Sequence, residues 1–182
     1  MKIRIPTFLH DLFGEETTLQ SLILIMIAGL MSVLILPIVG QDALARVPIH
    51  LRLWVYVITF DVFAGTVANF TLGTKSYYQK HPKRKKWFVP IHIYPIILVL
   101  LVSLPLIIGL YVYALILASS ILVQIIKHPI HQWIIAPMLV FLNVIIAIFF
   151  FQEVPLYLHV IHTGIALKLI LAFSITYPQK TE

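Results

Sequence analysis

From residue 88 to residue 126 the chain carries no Asp, Glu, Lys or Arg, and nearly every side chain is apolar. As one helix this run would be roughly 58 Å long, about twice the ~30 Å of a bilayer's hydrocarbon layer. It therefore has to fold back, and Ser103-Leu104-Pro105 or Gly109 are the sequence positions that favour a break, because proline disfavours helix in the residue before it and glycine weakens helix interiors. Other apolar stretches surround it. With 60% hydrophobic and 11% charged residues and a mean hydropathy of +1.00, against roughly 25% charged in ordinary soluble domains, the chain cannot hide its apolar surface in a water-exposed core. The expected fold class is all-α: one integral membrane domain, 1–182, forming a polytopic transmembrane helix bundle.

Spans are expected at about 19–40, 51–72, 88–104, 106–127, 132–151 and 154–177, each near the ~20 residues that a crossing requires. Ahead of them, residues 3–14 set Ile5, Phe8, Leu9, Leu12 and Phe13 at helical offsets of three and four. Segment 1–16 is thus expected as an amphipathic helix on the membrane surface, with a retained N-terminus, because no small-residue cleavage pattern follows the first apolar run.

The formal charge is +6, and its placement matters more than its size. Lys75, Lys80, Lys83, Arg84, Lys85 and Lys86 crowd into loop 75–86, between two spans. Such a cluster marks a cytoplasmic loop that meets anionic lipid headgroups, and it argues against a nucleic-acid partner. With six spans, Lys2, Arg4, Lys127 and Lys180 fall on the same side, which predicts both termini in the cytoplasm and a location in the plasma membrane. There are no cysteines, which excludes disulfides, thiolate nucleophiles and iron–sulfur clusters.

Polar groups inside hydrocarbon are costly and are functional candidates by default. Asp61 lies midway along the second span and shares a helical face with Ala64, Gly65 and Ala68, so it is expected to point into the bundle. Counted at 1.5 Å per residue, Ser32, Asp61, Asn143 and His162 come out roughly 12–15 Å below the outer boundary, a layer suited to ion or proton coupling. A second layer, nearer the cytoplasm, holds Asn69, His92 and Lys168, with Lys168 expected to snorkel. Eight histidines, among them His92, His131, His159 and His162, raise the alternative of haem or metal ligation, with His159 and His162 sharing one face. Neutral imidazoles on separate helices supply the axial nitrogens that haem iron needs.

The stretch LNVIIAIFFFQEVPLYLHVIHTGIAL, residues 142–167, resembles the penultimate-to-last helix pair of the haem A synthase family. That resemblance implies His162 as an axial ligand with His92 as its partner, and haem as the cofactor. Six spans would separate these two by about 10 Å in depth, and the arrangement is then more similar to the di-haem b561-type membrane cytochromes, with one His pair near each surface. His159-x-x-His162-x-Gly164 is similar to a rhomboid-protease motif, but Ser119 and Ser120 lack its glycine surroundings. An alkaline ceramidase-type zinc site lacks its Ser-x-x-x-His element. Two functions therefore remain open: a haem-binding, cytochrome-like protein for electron transfer or haem modification, with a membrane redox partner or a homo-oligomer as its assembly, or a small ion- or proton-coupled transporter with a buried Asp/His site. The sequence does not decide whether the protein is an enzyme.

Overall fold

A computed structural model describes residues 2–176 and is an all-α membrane bundle with one small β ribbon at its N-terminal end. Strands β1 (Lys2–Arg4) and β2 (Glu16–Thr18) pair antiparallel, Ile3 opposite Thr17. Between them lie a 3₁₀ turn (Thr7–Leu9) and the one-turn helix α1 (His10–Phe13). The continuous surface helix expected over 3–14 is thus reduced to two short turns, because β1 and β2 close the segment into a ribbon. Gly14, at φ +77°, makes the reversal in the left-handed region that glycine tolerates best.

Thr18 caps the next helix, accepting a 3.1 Å hydrogen bond from the Ser21 amide, and α2 (Leu19–Ala45) follows. It runs five residues past the expected end at 40. A tight connection leads to α3 (Ile49–Phe70), and the Arg52 guanidinium donates back to the carbonyls of Ala45 (2.8 Å) and Val47 (2.9 Å), satisfying groups that the end of α2 leaves bare. Helices α4 (Leu72–Lys80) and α5 (Pro82–Ile91) carry the basic cluster, followed by the two-turn α6 (Tyr94–Leu101). Helices α7 (Leu106–Ile125), α8 (Pro129–Phe150) and α9 (Leu156–Ala166) complete the bundle, with α9 passing directly into a π-helical segment, Leu167–Phe173.

Five of these stretches are long and apolar enough to cross a membrane: α2, α3, α7, α8 and α9 with its π segment. The expected span 88–104 is not one helix, because it breaks at His92–Ile93. The chain nevertheless changes face there. Lys80 pairs with Glu15 of the N-terminal ribbon at 2.8 Å, whereas Leu104 shares a cavity with Arg46, Pro48 and Pro155 at the opposite end. Helices α5 and α6, of 10 and 8 residues, carry the chain between these faces. The fold-back falls at Ser103, whose φ is +58°. Gly109 sits inside α7, where an added Cβ would come within 2.9 Å of α6 backbone. The last span begins at Leu156 rather than at 154, and its expected end, Tyr177, lies outside the described residues.

The break in the third crossing has a local cause. Pro95 has no N–H to offer the Ile91 carbonyl, and its ring clashes with that carbonyl in a continuous helix. Freed carbonyls cannot turn to water at this depth, and side chains take over. Nδ1 of His92 donates to the Phe88 carbonyl at 2.5 Å, and the Tyr113 hydroxyl donates to the Pro90 carbonyl at 2.8 Å. The π segment is treated similarly, with Asn69 donating to the Lys168 carbonyl (3.3 Å) and Ser174 to that of Leu169 (2.7 Å). Lys75 donates to the carbonyls of Ala172 and Ile175.

Candidate functional site

The two irregular elements meet at one place. Asp61 projects from α3, and Lys168, in the first turn of the π segment, donates from Nζ to its Oδ2 at 2.6 Å and to its backbone carbonyl at 3.3 Å. Tyr94, the first residue of α6, donates its hydroxyl to the same Oδ2 at 2.7 Å. The Lys168 side chain is 3% exposed and that of Asp61 30%. One turn along α3, Gly65 leaves the space that the lysine fills, since a Cβ there would lie 2.6 Å from Lys168 Cε and 2.7 Å from Nζ. The Lys168 ammonium also lies 5.4 Å from the centre of the Tyr94 ring, within cation–π range. His92 meets Tyr94 edge-on at 5.3 Å.

A cavity of about 340 Å³ opens beside this pair. Asp61, Lys168, His92 and Tyr94 form its deep end, Phe88, Trp87 and Ile91 its apolar wall, and Asp11 and Arg84 its rim. Trp87 and Ile91 are 64% and 63% exposed, so in a bilayer this wall faces lipid. The rim is tied by an Arg84–Asp11 ion pair of 2.6 Å, and Leu12 and Asp11 bring the N-terminal ribbon to the cavity mouth. The ribbon is fastened to α4 by hydrogen bonds from the Tyr78 hydroxyl to the Asp11 carbonyl and from the Thr74 hydroxyl to the Leu12 carbonyl, both 3.0 Å. Lys80 holds the Glu15 carboxyl below the usual carboxylate range.

Burying two charges is expensive, and removing one partner of such a pair costs about 3–5 kcal/mol because the other is left uncompensated. At this depth in a membrane that expense marks a functional locus more often than a packing device.

The remaining sequence candidates fall elsewhere. Ser32 donates to the Gly29 carbonyl at 2.7 Å, within α2. Asn143, fully buried in α8, donates to the Ser119 hydroxyl at 2.9 Å and leaves its Oδ1 without a partner. His131 is exposed, its ring 5.4 Å from that of His128. His159 and His162 line a separate apolar space of about 40 Å³ between α6, α7, α8 and α9, and Nε2 of His162 is buried without a partner. The expected layer of Ser32, Asp61, Asn143 and His162 is therefore not a common site; each has its own surroundings, and the partner of Asp61 is Lys168. Lys168 does not snorkel, because the ion pair holds it inside.

Among the described residues no group of three or more His, Asp or Glu could hold a metal ion. The space beside His162 has room for on the order of one to three waters, and His92 lines the other cavity, beside Asp61 and Lys168, so the two histidines do not share a site. Comparison with protein-family models, curated proteins and solved structures finds no match.

Proposed function

We propose that the protein is a small proton-coupled transporter in which the Asp61–Lys168 pair, with Tyr94, is the coupling site. The observation that carries this reading is the 2.6 Å Lys168–Asp61 contact at the break of a discontinuous crossing, beside an open cavity. Broken helices near the bilayer midplane are where transporters place their substrate and coupling-ion sites, because irregular backbone is tolerated in a membrane only where protein or a cavity surrounds it. A proton arriving on Asp61 removes the charge that holds Lys168 and loosens the Tyr94 bond to Oδ2. The pair ties α3 to the last crossing, and Tyr94 ties both to the half-helix α6, so its protonation state biases how these three elements pack. Lys and Arg concentrate on the face of the N-terminal ribbon, with Arg46 and Arg52 at the other. We assign that face to the cytoplasm of a plasma-membrane protein, which reporter fusions after residue 80 and near Glu153 would check.

The test is charge displacement after a pH jump on proteoliposomes adsorbed to a solid-supported membrane. Wild-type protein is expected to give a transient, and the double variant Asp61→Asn/Lys168→Gln, which keeps a neutral hydrogen-bonded pair, to lose it. Equal transients from both would overturn the proposal. A Soret band in the visible spectrum of the purified protein would favour the haem reading instead.

A further inference from the structure

We infer that the cavity beside Asp61 takes a small aromatic or alkyl organic cation, reached from the leaflet on the N-terminal ribbon's side, and that this cation exchanges for a proton. The inference rests on the coupling role of the Asp61–Lys168 pair and names its substrate class. Both hydrogen bonds that Asp61 accepts through its side chain end on Oδ2, so Oδ1 is an open anionic acceptor at the deep end of the cavity. Tyr94, Phe88, Trp87 and Ile91 line the same cavity. Phe88 is stacked on Phe173 at 3.9 Å and the Lys168 ammonium stands over the Tyr94 ring, so Trp87, 64% exposed, is the open aromatic surface. A carboxylate and an exposed indole in one apolar cavity select an ammonium head, through charge attraction and the negative face of the ring. An anion would meet that carboxylate directly. The cavity's roughly 340 Å³ falls at the lower end of small-ligand sites, and its exposed wall of Trp87 and Ile91 gives an amphipathic cation a path out of the bilayer. The rim does not repel such a ligand, because Arg84 is neutralised by Asp11 at 2.6 Å.

The groups that face Asp61 are Lys168 from the last crossing, Tyr94 and His92 from the break, and, across the cavity, the Asp11–Arg84 pair. A second cation brought to the carboxylate repels the Lys168 ammonium. One positive charge enters and one proton leaves Nζ for water, so the charge of the site is unchanged.

Benzyltrimethylammonium chloride, titrated calorimetrically into the full chain in nanodiscs at neutral pH, in two buffers of different ionisation enthalpy, tests this. Saturable binding is expected, with about one proton released per cation and weaker binding as pH falls. Asp61→Asn/Lys168→Gln should abolish binding while keeping wild-type helicity and elution volume. Trp87→Leu should weaken it roughly two- to five-fold, the scale of one exposed cation–π contact. Binding of phenylacetate in place of the cation, binding of neither, or cation binding without proton release overturns the inference. If the pH-jump transient persists in protein that binds no cation, the substrate class is wrong and the coupling site stands. If the transient is absent too, the coupling reading itself has failed.

Discussion

At the scale of single residues, Gly65 governs whether the ion pair can exist, because it occupies the one turn of α3 over which Lys168 reaches Asp61. Gly65→Ala puts a methyl 2.7 Å from the Lys168 nitrogen, and the flexible lysine has to swing away. Thermal unfolding in detergent should show a loss of about 1–3 kcal/mol, the usual cost of an added methyl in a packed interior. The pH-jump transient should shrink with it, and an unchanged transient would mean that the pair can re-form around the methyl. Lys75 gives a second residue-scale test. Burial, reinforced by Lys85 nearby, pushes its ammonium down to about 7 from 10.5. Between these values the unfolded chain binds more protons than the folded one, so this group makes stability rise with pH from about 7 towards 10.5; below 7 both states hold the proton and the slope vanishes. Lys75→Met should flatten that rise in melting temperature, and an unaltered slope would assign it to other groups.

At the scale of elements, prolines alone do not say where a crossing breaks. Pro37 and Pro137 sit inside the unbroken helices α2 and α8, whereas Pro90 and Pro95 flank the break. The difference lies in the side chains that receive the freed carbonyls: His92 within the break and Tyr113 from α7. Tyr113→Phe therefore leaves the Pro90 carbonyl without its donor and should cost about 0.6–1.7 kcal/mol, the range for membrane-buried hydrogen bonds. Faster amide exchange at residues 91–96 is the measurement that checks it. This dependence on a distant donor is why the sequence reads 88–104 as one span: Pro90 and Pro95 are visible in it, and the packing of α5 against Tyr113 is not. The bundle itself is legible because apolar runs near 20 residues admit few alternatives. The inward face of Asp61 is legible too, from Ala64, Gly65 and Ala68. Its partner is not, since depth counting is uncertain by about two to four residues per helix end and a lysine near an interface ordinarily snorkels. Nothing in the apolar pattern of α9 signals the π turn that presents Lys168.

For the whole molecule, the two ends of the described chain lie on one face: Lys75 and Gln132 hold the chain near residues 172–176 on the face of the N-terminal ribbon. The two partners of the buried pair lie 107 residues apart, and that separation has a consequence for biogenesis. At about 5–20 residues per second, ribosomes need roughly 5–20 s to make that much chain. Helix α3, the least apolar of the five long stretches, leaves the insertion machinery with Asp61 uncompensated, at an insertion cost of about 2.5–3.5 kcal/mol for a central charge. Chains truncated after residue 155 should hold α3 across the membrane less completely than full-length chains, as glycosylation mapping of the α2–α3 connection would register, and Asp61→Asn should restore the truncated form. Lys168 is then the late-arriving counter-ion that locks an early, reluctant helix in place, and assembly of the first half of the protein waits on translation of its last turns.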